Sequence, residues 1–152
     1  MNYKKTWKKI LSGDEKVEYE FSLGDRFIKF YLIVFGIIGF PLLFFKDIRW
    51  MGISFILFVF FYFGFYLKAA NAYAFTNKRV LIHQGWLSTH MISVDYSKIT
   101  DVHIRESFFA KIITHTGNIA IITAGTTRDQ IILGNVNEPY EIKKRLDALK
   151  DK

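Results

Sequence analysis

The chain has 152 residues, enough for one ordinary domain or for a smaller domain plus one further unit. Hydrophobic residues make up 51% and aromatic residues 18%, and the excess lies between Phe27 and Leu67, so a membrane segment is the first hypothesis. The chain contains no cysteine, which excludes disulfides, thiolate metal sites and a cysteine nucleophile. Its net charge of +7 favours an anionic partner, such as acidic lipid headgroups or nucleic acid.

The amino-terminal segment MNYKKTWKKIL combines an apolar helical face with flanking lysines. The apolar face has the spacing i, i+4, i+7, i+8 and consists of Tyr3, Trp7, Ile10 and Leu11, and the flanks carry Lys4, Lys5, Lys8 and Lys9. This pattern predicts a short interfacial helix on an anionic leaflet, with the lysines as lipid contacts and Trp7 as an interface anchor. The alternative is a solvated tail that only helps to fix topology. Because the polar stretch SGDEKVEYE follows, the segment is not a signal peptide.

A strand is predicted over residues 16–21, within the cytoplasmic basic segment 1–26. Val17, Tyr19 and Phe21 alternate there with charged residues, and a period of two indicates a half-buried strand. A helical hairpin after it would return the chain to the same surface, which brings this strand near the carboxyl-terminal domain. Whether it joins the sheet of that domain is left open by the sequence.

Two long apolar runs follow. Phe30–Phe45 carries no charge over 16 residues, and Trp50–Leu67 carries none over 18 residues. Since crossing the hydrocarbon core takes about 17 to 25 helical residues, we predict transmembrane helices over residues 27–45 and 50–67, with Lys29 reaching back to the headgroups. The alternative, a buried hairpin of a soluble protein, requires a larger partner core than the rest of the chain supplies.

The predicted topology places both termini in the cytoplasm. The connection over residues 46–49 is too short for anything except a turn between antiparallel helices. Seven Lys or Arg occur up to residue 29 and twelve from residue 68 onward, against two in the connection, and basic residues concentrate on the cytoplasmic side. The expected location is therefore the cell membrane, as a multi-pass protein. Tyr31, Trp50 and Tyr66 lie near the ends of the spans as predicted interface anchors.

In the remaining segment, 68–152, short strand patterns recur at intervals of about 8 to 12 residues. This spacing predicts a small antiparallel sandwich or barrel. The predicted strands cover residues 73–75, 80–83, 89–94, 99–107, 119–123 and 130–133. An amphipathic helix over 138–150 closes the chain, with Ile142, Leu146 and Leu149 forming its apolar stripe. The predicted fold class is therefore an α+β membrane protein, a transmembrane α-helical hairpin plus a small antiparallel β-sandwich or barrel capped by a carboxyl-terminal helix.

Three stretches of this segment resemble bacterial pleckstrin-homology-like domains, which occur in small membrane proteins with a paired-helix anchor. They are YAFTNKRVLIHQGWL (73–87), VDYSKITDVHIRESFFAKIITHTGNIAIITAG (94–125) and NEPYEIKKRLDALK (137–150). The resemblance implies a bent two-sheet, PH-like barrel capped by a helix, often oligomeric, with no established enzymatic activity and largely undefined ligands. Where members commonly have a glycine on each side of the loop before the central strand, this chain has Thr114, His115 and Thr116 before Gly117.

Lys78 and Arg79 are the candidate lipid contacts of the PH-like domain. They lie at the predicted first hairpin, the position that corresponds by analogy to the phosphoinositide-binding loops of eukaryotic relatives of the fold. An arginine offers a bidentate fork to phosphate, and a lysine offers a point charge. The alternative is a turn that carries polar residues only for solvation.

No catalytic, metal or cofactor site is expected. The four histidines, His83, His90, His103 and His115, lack the HxxxH or HExxH spacing of zinc sites. Asp101 and His103 have no convincing nucleophile, and Gly117 and Gly125 fit turns better than a phosphate-binding loop. No recognition helix or stacking platform for nucleic acid stands out.

Two functions follow as hypotheses. The leading one is a non-enzymatic, membrane-anchored module in which the PH-like domain self-associates or recruits a protein partner at the cytoplasmic membrane face. The alternative is recognition of anionic lipid headgroups by the basic residues of the domain and the amino terminus. The expected partners are the lipid bilayer, a second copy or a membrane protein, and, in the alternative, anionic lipids. An enzyme acting on membrane components lacks a candidate nucleophile or acid–base pair.

Overall fold

The computed structural model describes residues 3, 7–8, 10–85, 89–124 and 130–150. It contains two antiparallel sheets and an apolar helical hairpin. Sheet A has the order β1-β2-β3-β4 and sheet B the order β5-β6-β7. The strands are β1 Val17–Ser22, β2 Asn71–Thr76, β3 Arg79–Gln84, β4 His90–Asp95, β5 Ile99–Arg105, β6 Thr116–Thr123 and β7 Ile131–Asn137. The helices are α1 Asp25–Gly39, α2 Arg49–Phe61, α3 Leu67–Ala70 and α4 Pro139–Lys150.

The main core lies between the two sheets and helix α4. Alternate residues of the strands point into it, as the period of two requires, and Tyr73, Ile82 and Ile119 are among those with 1% exposure or less. Ile142 and Leu146 of α4 complete this core, so the predicted closing helix is confirmed with nearly its predicted bounds. Arg145 of the same helix lies over the ring of Tyr19, 4.4 Å from its centroid.

Strand β1 belongs to sheet A, although the apolar hairpin separates it from the other strands in sequence. It pairs antiparallel with β2, and Ser22 lies opposite Ala72. Only Leu23 and Gly24 separate β1 from α1, and α3 ends at the residue before β2 begins. The hairpin is therefore an insertion between two hydrogen-bonded neighbours, and the predicted domain boundary at residue 68 omits one strand of the sheet.

Gly24 is where the chain passes from sheet to helix in a confined space. Its backbone N–H donates to the Asn135 carbonyl at 2.7 Å. A Cβ at this position would lie 2.4 Å from Asn137 Oδ1 and 2.7 Å from Thr116 Cγ2. The start of α1 is consequently held against sheet B without a spacer.

The two arms of the hairpin run from Asp25 to Phe44, 20 residues, and from Arg49 to Ala70, 22 residues, and both are long and apolar enough to cross a membrane. Only 11% of the residues in each apolar window are buried, unlike a core helix of a soluble domain. The first arm narrows to a 3₁₀ helix at Phe40–Phe44, next to Pro41, and the second contains a π-helical turn at Tyr62–Tyr66.

Two glycines allow the two arms of the hairpin to pack closely against each other. A Cβ on Gly39 would lie 2.9 Å from Ile56 Cγ1, and one on Gly52 would lie 2.9 Å from Leu42 Cβ. Aromatic stacking continues the contact toward the sheet, since the rings of Tyr31 and Phe63 are 5.3 Å apart and nearly parallel. The hairpin thus has its own internal packing.

The insertion predicts that the β-domain folds without the hairpin if β1 is kept. Replacing residues 23–71 by a two-residue Asn-Gly turn joins Ser22 to Ala72 as a tight β-hairpin in the existing register. We expect this variant to be soluble and to show a cooperative thermal transition by circular dichroism. A fragment that begins at residue 68 lacks β1 and should show no such transition, so a stable fragment of that kind would contradict this architecture.

Candidate functional site

The amino-terminal residues fold back onto the outer face of sheet A. Trp7 has 1% exposure and packs against Ala72, Ala74 and Leu81. Ala72 and Ala74 lie two residues apart on one strand, so both point to this face, and their small side chains leave room for the indole. The partly buried Tyr3, Ile10 and Leu11 pack on the same cluster.

This packing corrects the prediction for Trp7. The four residues that sequence spacing placed on one apolar face do form one, but that face covers the protein's own sheet and not a lipid leaflet. Trp7 is therefore a core residue instead of an interface anchor. The Tyr3 hydroxyl donates to the Lys68 carbonyl at 2.7 Å, which ties the amino terminus to the last turn of the helical hairpin.

Glu15 and Arg79 form a buried ion pair at the far end of β2 and β3. Arg79 Nε donates to Glu15 Oε1 at 3.0 Å, and its Nη2 donates to Oε2 at 2.8 Å. The Glu15 side chain is fully buried, and the Thr76 hydroxyl also donates to it at 2.8 Å. The Arg79 guanidinium and the other donors hold the pKa of Glu15 at about 2, against an ordinary 4.5, although burial opposes this shift.

The same pair corrects the prediction for Arg79. The bidentate geometry that was expected for a lipid phosphate is used by the Glu15 carboxylate, and Nη2 further donates to the Ile10 carbonyl at 3.2 Å. Arg79 therefore anchors the amino-terminal segment to sheet A. The sequence signal for this role was the acidic pair Asp14 and Glu15 after the lysine-rich stretch, of which Glu15 binds Arg79.

Lys78 is exposed at the β2–β3 turn, which lies away from the helical hairpin. Strand β2 leaves α3 at Asn71 and runs to Thr76, about 17 Å at the usual rise of a strand. Lys8 is also exposed, and it lies beside Glu15 and Glu18 in a groove on the amino-terminal segment. A lipid-contact role of Lys8 and Lys78 stays a prediction, and Lys4, Lys5 and Lys9 lie outside the described residues.

The three other predicted anchors lie on the helical hairpin. Trp50 is 77% exposed in the first turn of α2, at the end away from the sheets. Tyr31 and Tyr66 are half-buried near the end that joins the sheets, and Tyr31 stacks on Phe63. Their positions at opposite ends of the hairpin fit the predicted interfaces, which stay a prediction.

The edges of the sheets differ in how they are protected. Strand β1 has a bulge between Val17 and Tyr19, and β5 has one between Ile99 and Asp101. On β7, the Ile132 carbonyl accepts from the Gln84 side chain and the Asn135 carbonyl accepts from Gly24.

Strand β4 is also an edge strand, but unlike β1 and β5 it has no bulge. Its pairing with β3 is unbroken from His90 to Asp95, and within the described ranges no strand pairs with its other side. His90 and Ser93 are exposed along it. An edge of this kind offers a row of backbone groups to a further strand.

In the described part of the chain, titratable side chains form few clusters that could serve as a metal or catalytic site. No group of three His, Asp or Glu side chains suited to a metal ion occurs among the residues that the structure describes. His103 Nε2 lies 3.3 Å from Asp101 Oδ2, and both side chains are at least half exposed. This pair is an ordinary surface contact on β5, where the exposed charges also protect the strand edge.

Two antiparallel sheets enclosing one core and a carboxyl-terminal helix that closes it define a pleckstrin-homology-like domain. The family model described as bacterial PH domain matches residues 24–150. The chain therefore belongs to the bacterial PH domain family, as the resemblance in its sequence indicated.

Solved structures agree on the fold. The chain is similar to a DUF1696 family protein with a pleckstrin-homology domain from Shewanella loihica PV-4, with a TM-score of 0.53, 12% identity, and coverage of 99% of this chain and 98% of that one. It is also similar to a pleckstrin homology domain from Shewanella amazonensis SB2B, with a TM-score of 0.52, 11% identity, and coverage of 96% and 83%. No curated protein matches the chain. At these identities the likeness shows the fold alone.

Trp7→Ala tests whether the amino terminus is part of the domain. We expect a loss of about 3 to 5 kcal/mol in the free energy of unfolding, because the substitution empties a packed site. The measurement is urea unfolding of the full-length protein in non-ionic detergent, followed by circular dichroism. Trp50→Ala, at a 77% exposed position, is the matched control and should leave the transition unchanged. Equal effects of the two substitutions would contradict the assignment of Trp7 to the core.

Glu15→Gln tests the ion pair through pH. A carboxylate with a pKa of about 2 in the folded state and 4.5 unfolded stabilises the fold above pH 4.5, and this contribution disappears as the pH falls toward 2. We expect the variant to be less stable than the parent by on the order of 3 kcal/mol at pH 7, with the difference shrinking through that window. The measurement is the same urea titration between pH 7 and pH 2.

The matched control for this titration is Asp14→Asn, which removes a neighbouring exposed carboxylate. It should lie close to the parent at every pH. A stability difference between Glu15→Gln and the parent that stays constant down to pH 2 would show that packing, and not the charge of Glu15, is responsible.

Proposed function

We propose that this chain is a non-enzymatic module that the α1–α2 hairpin anchors in the membrane, and that its PH-like domain joins a second copy or a partner protein at the cytoplasmic face. The observation that carries this proposal is the double attachment of the hairpin to sheet A. The chain enters the hairpin two residues after β1 and leaves it directly into β2. A domain attached in this way has no linker through which to move away from the bilayer.

Contacts around the base of the hairpin support a fixed orientation. The Ser22 hydroxyl donates to the Asn71 carbonyl, and Lys68 forms an ion pair with Asp25. Tyr3 adds a bond from the amino terminus to the Lys68 carbonyl. Because these bonds join β1, α1 and α3, the sheet and the helices behave as one rigid unit in this proposal.

The surface of the hairpin supports membrane anchoring. Exposed apolar side chains surround both arms, among them Ile37, Phe44, Leu57, Phe58 and Phe60, each more than half exposed. Water would disfavour such a surface by roughly 25 cal/mol for each Å² of apolar area, whereas lipid tails accept it. The excess of Lys and Arg on both sides of the hairpin, against two in its connection, supports a cytoplasmic position for the domain.

The free edge of β4 supports association as the role of the domain. The edges of β1 and β5 carry bulges, and that of β7 is bonded to neighbouring groups, while β4 is regular. Strand β3 ends beside α3, where the Gly85 N–H donates to the Ala70 carbonyl at 2.7 Å. The edge therefore begins near the base of the hairpin, and a strand added to it would be held close to the membrane.

The lipid-headgroup alternative has less support from the geometry. Arg79 is engaged by Glu15, and Lys78 lies at the end of β2 that is remote from the hairpin. A headgroup site built on these two residues would need the domain to turn over, which the double attachment opposes. Association is accordingly the function that we favour.

Ser93→Lys tests association through β4. A lysine on an exposed edge position disfavours pairing with another strand, since it places a charge where the added strand would pack. We expect the full-length protein in detergent to form a defined oligomer by light scattering corrected for bound detergent, and the substitution to lower its mass. Thr100→Lys adds the same charge at an exposed position of β5 as a control and should leave the mass unchanged.

Two outcomes would contradict this proposal in different ways. A parent protein that is monomeric at all accessible concentrations would exclude self-association. An oligomer that Ser93→Lys leaves intact would exclude the β4 edge as its interface, while a partner-binding role would then require a different surface.

A further inference from the structure

The connection between β5 and β6 carries the most exposed apolar cluster outside the helical hairpin in the described chain. Phe108 and Phe109 are each 73% exposed, Ile112 is 58% exposed and Ile113 is 46% exposed. The spacing i, i+1, i+4, i+5 places all four on one side of a helical turn. We refer to residues 107–114 as the apolar turn.

Several backbone groups of the apolar turn form hydrogen bonds within the turn itself. The Ala110 N–H donates to Ser107 Oγ at 3.2 Å, and the Lys111 N–H donates to the Ser107 carbonyl at 2.9 Å. The Thr114 hydroxyl donates to the Ala110 carbonyl at 3.0 Å, and His115 ends the turn with a left-handed φ of 50°. A backbone with these internal bonds tolerates an apolar medium far better than an open loop does.

The turn lies beside the first turns of α1. Its Phe109 and Ile113 line a groove of about 370 Å³ together with Phe27, Phe30 and Tyr31. Tyr31 lies six residues beyond Asp25, about 9 Å along the helix axis. The cluster therefore lies beside α1 at about 9 Å from the start of that helix. With Asp25 at the membrane boundary, as in the proposed anchoring, this is the depth of an interfacial segment, about 5 to 10 Å into the boundary.

From this proximity we infer that the apolar turn is a third membrane contact, which inserts into the cytoplasmic leaflet alongside α1 and fixes the tilt of the PH-like domain. The inference rests on the membrane anchoring proposed above. Its occupant is the lipid bilayer, because Phe109 and Ile113 share a groove with α1, the helix that the proposed function places in the membrane. Soluble proteins rarely expose large apolar clusters, and such clusters often mark a contact with a membrane.

The absence of cysteine from the chain permits single-cysteine labelling of the full-length protein. A fluorophore is attached at Ile112→Cys in the turn, at Ile37→Cys in α1, and at the exposed Ser97→Cys between β4 and β5. Each labelled protein is reconstituted into phosphatidylcholine–phosphatidylglycerol vesicles with and without lipids that carry a spin label on the acyl chain. Quenching at position 112 and at position 37, but not at position 97, is the expected result.

The other outcomes separate this inference from the proposed function. Quenching at position 37 without quenching at position 112 overturns the inference and keeps the anchor. Loss of quenching at position 37 contradicts the anchor itself, whatever position 112 shows. A label at position 112 that is shielded from water but not quenched by lipid, and that depends on protein concentration, overturns the inference in favour of contact with a second protein.

A pair of substitutions provides an independent check. Phe108→Ser with Phe109→Ser should reduce quenching at position 112 by about twofold or more, because apolar area holds the turn in the leaflet, and should leave position 37 unchanged. Tyr140→Ser, at a 57% exposed aromatic residue on α4, is the control and should alter neither position. Unchanged quenching at position 112 in the double variant would overturn the inference.

Discussion

The pairing of Ser22 with Ala72 is the constraint on which the rest of the structure depends. It makes β1 and β2 hydrogen-bonded neighbours although the whole helical hairpin lies between them. The ends of the hairpin are therefore separated by only about 5 Å, the spacing between two neighbouring strands. Antiparallel helices of similar length meet this condition, and a single helix does not, because a single helix would carry the chain to the opposite side.

Much of the fold was readable from the sequence, because apolar periodicity reports which residues share a face. The strand at 16–21, the two apolar helices and the closing helix were all predicted near their observed positions. Periodicity did not reveal the bulge between Val17 and Tyr19. As a result Tyr19 and Phe21 pack on the main core, while Val17 packs with Trp7 on the other face of the sheet.

The partner of the amino-terminal face was not predictable in the same way. An amphipathic helical pattern has one form whether it covers a membrane or the protein's own sheet, since both offer an apolar surface. The distinguishing signals lay elsewhere in the chain. Ala72 and Ala74 provide a shallow trough on β2, and Glu15 provides a counter-ion for Arg79. Neither the alanine trough nor the counter-ion can be recognised before β2 and β3 are known to lie beneath the amino-terminal segment.

The candidate site was less predictable than the fold for a related reason. The sequence shows which residues are charged. A binding surface also depends on which charges are already paired and on the direction in which each turn faces, and both depend on the tertiary structure. Arg79 is paired with Glu15, and Lys78 lies at the end of β2 remote from the hairpin. Phe108 and Phe109 are two of the 16 phenylalanines of the chain, and no sequence pattern distinguishes them from the others. Their meaning depends on proximity to α1, which is a tertiary property.

Fixed attachment also changes what binding to this domain requires. Under the proposed function, a partner that pairs with β4 would not have to restrain a flexible linker, so the entropy cost of association would fall mainly on the partner's own segment. In the proposed function, copies confined to one membrane plane with a shared orientation would also present their β4 edges at the same height. Moderate affinity between edges is then sufficient for assembly, because confinement raises the effective concentration of the surfaces that meet.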